Sequence, residues 1–320
     1  TLYGEVTKAV TPSLNLTAGG RVTHARLSGA ALDAPSALLA SAARLQGQRN
    51  ETEFLPSLSA TYAVGDGLTL FAKYQESFRP GGIVVRNELI QRYRNDQVYA
   101  AEIGLRFGSR GAPAVDGSLS VSRTLWRNIQ ADLIDASGLP ATSNIGTGRI
   151  WSVDAVLGWR PVKGLRIEAS GTFSDSRLTS PAPTLFLLRS GSTIPPQPGL
   201  TVINSNDLPN VARFNGRLGA DYFADLSGGF QLSVSAWLRY VGRSRLGIGP
   251  VLGVPQGNYA DTSLGARLSR DRYGLFLNAT NLFDSIGNRF SLGSPFTLPY
   301  GDQVTPLRPR TIRLGIDVSF

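Results

Sequence analysis

Residues 311–320 read TIRLGIDVSF, and apolar and polar side chains alternate through them without a break. Ile312, Leu314, Ile316, Val318 and Phe320 fall on one side; Arg313, Gly315, Asp317 and Ser319 fall on the other. Successive side chains of a strand point to opposite faces, so a period of two predicts a strand with one apolar and one polar face. The pattern recurs along the chain. Tyr99, Ala101, Ile103, Leu105 and Phe107 oppose Ala100, Glu102, Gly104 and Arg106. Trp151, Val153, Ala155, Leu157 and Trp159 oppose Ser152, Asp154 and Gly158. Phe214, Gly216, Leu218, Ala220 and Tyr222 oppose Arg213, Asn215, Arg217 and Asp221.

Two details go beyond ordinary half-buried strands. Aromatic residues end the apolar rows, as in the pairs Tyr99/Phe107, Trp151/Trp159, Phe214/Tyr222 and Phe230/Tyr240, where the interfacial girdles of a membrane barrel belong. The opposite face carries charge in mid-strand, which a packed sandwich core does not tolerate unpaired. Connections alternate between two lengths. Short ones fall near 11–13, 65–67, 160–164, 225–228 and 270–272, with a slightly longer one at 108–116; long ones fall near 27–50, 80–95, 135–144, 178–209, 244–257 and 284–307. No run approaches the roughly 18 to 20 apolar residues of a membrane helix. A chain that spans a membrane without such a helix does so as a closed barrel. The expected fold class is therefore all-β, a transmembrane antiparallel β-barrel with lipid-facing Leu218, Ala220, Leu232, Val234, Ala236, Leu314 and Ile316.

Counting segments gives about thirteen strands, an odd number where bacterial barrels have an even one. Counting back from a periplasmic C-terminus, the strand near Leu2–Val10 starts outside. Pairing it with the last strand would be parallel, so an open sheet is expected, with strands missing upstream. The absence of Met and of a signal peptide agrees with a processed or truncated product.

Composition narrows the chemistry. The net charge is +9, but the arginines are scattered singly rather than in a basic stripe, which speaks against nucleic-acid binding and suits an anionic lipopolysaccharide surface or anionic ligands. Without Cys there is no disulfide frame or thiolate metal site. His24 is the only histidine, has no partner ligands in sequence and reads as a rim residue; no metal or catalytic site is expected. Inward Glu102, Asp154, Glu168, Asp221 and Asp317 are expected to pair with Arg106, Arg166, Arg213, Arg217 and Arg313. Ser36–Leu45 is read as a short loop helix, GIGPVLG from Gly247 as loop glycine, and the sequons at Asn15, Asn50 and Asn278 as chance matches.

Six local signatures, taken in order, resemble the C-terminal part of a TonB-dependent outer-membrane receptor: LYGEVTKAVTPSLNLTAGGRV (2–22), FAKYQESFRPGG (71–82), YAAEIGLRF (99–107), the stretch 144–165, NATNLFD (278–284) and LRPRTIRLGIDVSF (307–320). The resemblance implies a barrel portion over residues 1–320 with about 13 of the family's roughly 22 strands, the plug domain and first strands missing. It also implies a Gram-negative outer-membrane location and energy-coupled uptake of a scarce nutrient, a ferric siderophore or similar iron complex. Implied partners are outer-membrane lipid and lipopolysaccharide, the barrel assembly machinery, and the TonB complex through the missing plug. Terminal Phe320 resembles the signal read in barrel assembly. No cofactor and no covalent chemistry are expected. A passive porin or adhesin-like barrel and a soluble all-β binding module remain rivals, with a barrel enzyme more distant. Candidate ligand contacts are Arg79, Arg86, Arg92, Tyr93 and Arg94 in one long connection, because guanidinium forks suit carboxylate, phosphate and chelate oxygens.

Overall fold

A computed structural model describes residues 1–30, 46–65, 67–86, 89–108, 114–134, 140–182, 185–187, 201–203, 206–248, 253–289 and 304–319; side chains 29–30, 46–47, 84–91, 133–141, 185–187 and 201–203 lie outside the description. Thirteen strands form one sheet in chain order: β1 Leu2–Ala9, β2 Leu14–Ala30, β3 Gln46–Gly65, β4 Leu68–Arg79, β5 Asp96–Phe107, β6 Val115–Arg127 and β7 Gly146–Trp159, followed by β8 Leu165–Pro181, β9 Phe214–Asp225, β10 Phe230–Val241, β11 Tyr259–Arg270, β12 Tyr273–Thr280 and β13 Thr311–Val318. Each strand pairs antiparallel with the next, and β1 does not pair with β13. The count, the alternation of short turns with long connections, and the open edges all follow the expectation from the sequence. Small hairpins such as Gly82–Arg86 with Leu89–Tyr93 decorate the long connections. The expected helix at Ser36–Leu45, most of the GIGPVLG loop and terminal Phe320 lie outside the described residues.

The register sorts the sheet into two faces. Leu218 pairs with Leu238, Ala220 with Ala236, Ala236 with Leu264, and Leu277 with Leu314, so the apolar rows of β9 to β13 align on one side. Among the described residues nothing forms a second layer against this face: Ile103 is 65% exposed, Leu314 72% and Ile316 74%. From Trp151 to Trp159 the apolar row spans nine residues, about 26 Å along the strand at ~3.3 Å per step. At a strand tilt of about 40° this covers roughly 20 Å of height, most of an outward apolar band of ~25 Å with its aromatic girdles at the two ends.

The other face is polar, and its charges are only partly paired. Arg267 reaches Asp317 at 2.6 Å, and Arg166 reaches Glu168 at 2.6 Å. The first of these pairs spans β12 and needs Gly274 between them, where an added Cβ would stand 2.6 Å from both the Arg267 guanidinium and the Asp317 carboxylate. Asp154 finds Thr172 at 2.6 Å, and Arg106 lies over the Phe71 ring at 4.6 Å. Their cross-strand neighbours are Ser, Thr and other uncharged residues, which leaves each without an opposite charge and departs from the ion pairs expected there.

A small core sits at the long-connection end, on the polar side. Ile129, Ile145, Leu178, Leu208 and Ile248 are buried together, with Trp126 and Ile150 packed against them. Gly148 makes room, since a Cβ there would stand 2.9 Å from the side chains of Ile129 and Leu208. The connections after β6, β8 and β10 are thus tied down over the sheet by burial, at roughly 1.5–3 kcal/mol for each fully buried aliphatic side chain.

Candidate ligand site

Two constellations at the long-connection end carry candidate chemistry. The first surrounds the β4–β5 connection. Arg79 donates from Nε and Nη2 to Asp96 Oδ2 at 3.2 and 2.6 Å and from Nη2 to the Gln130 carbonyl at 2.8 Å. Asp96 is buried at 2% exposure, so it needs this counter-charge. The Gln130 amide donates to the carbonyls of Pro80 and Arg94 at 2.9 and 3.1 Å. Asn144 closes the set, accepting from the Arg94 backbone N–H at 2.6 Å and donating back to its carbonyl at 2.9 Å. Arg79 therefore fixes the base of the connection, while Arg92 and Arg94 present exposed side chains and Tyr93 is half-buried. The side chain of Arg86 lies outside the described residues. His24 sits at the rim, as expected; its Nδ1 is 2.8 Å from Thr52 Oγ1, and Arg26 Nε donates to its Nε2 at 3.1 Å. Among the described residues no group of three or more His, Asp and Glu is placed to hold a metal ion.

The second constellation escaped the sequence. A cavity of about 370 Å³ opens on the polar face over β10 to β13, lined by Trp237, Arg239, Tyr259, Asp261, Asn278, Arg289, Arg308 and Arg313. Arg239 stands opposite Asp261 across β10 and β11, and Arg313 opposite Asn278 across β12 and β13. The connection after β12 supplies Arg289 and Arg308. Asn281, in the left-handed conformation at φ 51°, starts that connection; asparagine tolerates this backbone better than most residues. Its side chain is buried and donates to the carbonyls of Ser285 and Arg308 at 2.9 and 2.8 Å, while accepting from the Ser285 N–H at 2.9 Å. Thr262 Oγ1 accepts from the Leu282 N–H at 2.8 Å, and Asp284 accepts from the Arg310 N–H at 3.0 Å. The NLFD motif is thus a clamp that holds two arginines over the cavity.

Four guanidinium groups face one carboxylate here, and among the described residues none of the four has an ion-pair partner. Such an arrangement takes up carboxylate, phosphate or other hard anionic oxygens through charge-assisted hydrogen bonds. Arg239, Arg289, Arg308 and Arg313 come from separate segments that only the register brings together. The available signal was parity, because Arg239, Asp261 and Arg313 all fall on the polar side of their strands.

A 13-stranded antiparallel sheet with an apolar outer band, a polar inner face and long connections at one end defines the wall of an outer-membrane type barrel. The family model for the β-barrel of TonB-dependent receptor-like proteins matches residues 1–282, and the chain belongs to that family. No curated protein sequence matches it. Its fold is similar to the ferric yersiniabactin uptake receptor FyuA of Yersinia pestis, with a TM-score of 0.71 and 19% identity, covering 99% of this chain and 45% of that one. It is also similar to the siderophore receptor PiuA of Acinetobacter baumannii, with a TM-score of 0.69, 17% identity, and coverage of 99% and 42%. The ferric-catecholate import receptor Fiu of E. coli K12 gives a TM-score of 0.67, 18% identity, and coverage of 99% and 44%. The chain spans less than half the length of these receptors.

Proposed function

We propose that this chain is the C-terminal barrel portion, residues 1–320, of a receptor in the outer membrane of a Gram-negative bacterium. The whole receptor takes up a ferric siderophore or a similar iron complex. The observation that carries this reading is the cationic cavity on the inner face at the long-connection end, the external mouth of a barrel of this family. Ferric chelates present anionic carboxylate, catecholate or hydroxamate oxygens, the acceptors that arginine forks fit. Arg239, Arg289, Arg308 and Arg313 form the wall-side contact in this reading. Arg92, Tyr93 and Arg94 add contacts from the β4–β5 connection, with Arg79 setting their base and Arg86 in the same hairpin.

The remaining strands and a plug domain complete the receptor and couple it to the TonB complex. Phe320 is part of the signal by which the barrel assembly machinery recognises the last strand, and the outer band meets lipid and lipopolysaccharide. Binding and transport here involve no covalent step. The test is uptake of radiolabelled ferric chelates by iron-starved cells whose sole receptor is the full-length protein. Uptake that stops when energy coupling is removed supports the reading. Uptake that continues unchanged would establish a passive pore instead.

A further inference from the structure

The mouth cavity shares a side chain with a second cavity on the inner face. This one, of about 300 Å³, lies over β7 to β10 and is lined by Asp154, Ser170, Thr172, Asn215, Arg217 and Arg239. Arg239 lines both cavities. Asp154 and Thr172 are mid-strand on β7 and β8, well below the long connections.

Arg217 stands directly opposite Arg239 across β9 and β10, and like charges so placed destabilise a sheet. Among the described residues Arg217 has no ion-pair partner. Its guanidinium lies over the Trp237 ring at 5.7 Å, which positions it with N–H groups left to donate. Asp154 is the one carboxylate in the lining, and it accepts the Thr172 hydroxyl at 2.6 Å. Glu168, in the next row of β8, accepts from Arg166 at 2.6 Å. Asn215 Oδ1 accepts from the Gly242 N–H at 3.3 Å, so its amide N–H groups remain for a guest. Two guanidiniums and an amide suit the same hard anionic oxygens that the mouth cavity takes.

The wall beside this cavity is bare. On β9 the inward residue after Arg217 is Gly219. A Cβ there would meet nothing nearer than the backbone oxygens of Ala236 at 3.8 Å and Glu168 at 4.0 Å. Other inner-face glycines lie beneath a neighbour's side chain: Gly104 under Phe71, Gly158 under Asp116, Gly274 under Arg267 and Asp317, and Gly315 under Phe276. Those glycines seat the groups above them. Gly219 seats none, and it keeps open the strip of wall that leads from Arg217 towards the short-turn end.

We infer that the Arg217 cavity is a second binding station for the anionic chelate on its way inward. Arg239 holds the chelate at the mouth, Arg217 takes it over, and Gly219 lets it pass along β9. The inference deepens the uptake reading and rests on it, adding a contact below the mouth and a direction of travel.

The chain has no cysteine of its own, so G219C in a full-length receptor without other cysteines reports on this strip alone. Labelling is followed in energised, iron-starved cells with an anionic (sulfonatoethyl) and a cationic (trimethylammonium-ethyl) methanethiosulfonate, each rate taken relative to a free thiol. The anionic reagent should react about tenfold faster, roughly the strength of one charge-assisted hydrogen bond. R217Q/G219C should lose that preference, and R106Q/G219C, which removes a charge from β5, should keep it. Uptake is read with radioiron bound to citrate, to dihydroxybenzoate and to desferrioxamine in turn. G219F should bind chelate at the surface as wild type does yet lose most of its uptake. S118F, on β6 in the hydrogen-bonded row of Arg217, should do both as wild type. Equal labelling rates in G219C, no labelling by either reagent, an unchanged preference in R217Q/G219C, wild-type uptake by G219F or an equal loss in S118F would overturn the inference. None of these touches the transport reading so long as the wild type takes up chelate. Failure of the wild type to take up any of the three would overturn that reading, and the inference with it. Heat-modifiable migration reports assembly; if G219F does not assemble, the labelling rates, which need no bulky residue, decide.

Discussion

The long-connection end of this sheet treats arginine in two opposite ways. Over β4 to β8, Arg79 is bound to buried Asp96 and the Gln130 carbonyl, and the backbone around it is stitched by Gln130 and Asn144 above a core of Ile129, Ile145, Leu178, Leu208 and Ile248. Over β10 to β13, Arg239, Arg289, Arg308 and Arg313 surround a cavity with one carboxylate between them, and the connection is held by the polar side chains of Asn281, Thr262 and Asp284 instead of an apolar core. The first region satisfies its polar groups internally and is rigid for that reason. The second keeps donors unspent and needs only enough local structure to aim them. Residue type alone does not separate a structural arginine from a binding one; the carboxylate within reach does.

The largest effect is expected from truncation in the first region. Ile145→Ala removes a fully buried side chain from the mouth core and should cost about 2–5 kcal/mol. Urea unfolding of the full-length receptor in detergent reads that loss, or, where the damage stays local, proteolysis within residues 128–146. Affinity for a ferric chelate should stay within about twofold. A matching loss of affinity would show that the two regions act as one.

Next comes the clamp. Asn281→Ala deletes three hydrogen bonds to Ser285 and Arg308. At about 1 kcal/mol each, the local cost is roughly 2–3 kcal/mol. Faster amide exchange in residues 285–289 and 304–310, with the strands unchanged, is the expected signature. Ligand affinity should fall with it, because Arg289 and Arg308 lose their placement; preserved affinity would remove those two arginines from the site.

Removing the charges themselves should do the reverse. Arg239→Gln and Arg313→Gln leave no buried partner orphaned, so stability should move by less than about 0.5 kcal/mol. Each should weaken ferric-chelate binding by about tenfold, the value of a charge-assisted hydrogen bond near 1.4 kcal/mol. Isothermal titration of the full-length variants checks both numbers. A stability loss in place of an affinity loss would turn the cavity into a second structural network.

Much of the architecture was legible because a two-residue period records the faces directly. The alternation in β7, β9 and β13, the girdle aromatics Trp151 and Trp159, and the two lengths of connection are local facts about sequence. What the period does not encode is registration between strands. Arg239 and Arg313 lie 74 positions apart, and only the chain of pairings through β11 and β12 makes them neighbours. Of the expected interior ion pairs Arg166 with Glu168 formed, whereas Asp154 and Arg106 were placed on the right face but stand across from Ser and Thr. Motifs behaved better where they are local, as with NLFD, whose Asn281 and Asp284 both adopt φ above 50° and bond within 30 residues.

The smallest effect decides to which region Arg79 belongs. Arg79→Lys keeps the positive charge beside Asp96 but loses the geometry, since an ammonium cannot hold Asp96 and the Gln130 carbonyl together as the planar fork does at 2.6 and 2.8 Å. A buried carboxylate that keeps a counter-ion avoids the full desolvation cost, so the expected loss is about 1 kcal/mol, near one neutral hydrogen bond. The side chain of Arg79 is 53% exposed while that of Asp96 is 3% exposed, so solvent can take over the contacts that the lysine leaves unmade, which keeps the cost small. Stability should therefore drop slightly and ligand affinity should not change, because the guanidinium is already committed. If instead affinity falls several-fold while stability holds, the exposed half of Arg79 meets the ligand. The region around β4 and β5 would then join the cationic mouth, and the contrast between the two sides would be one of degree.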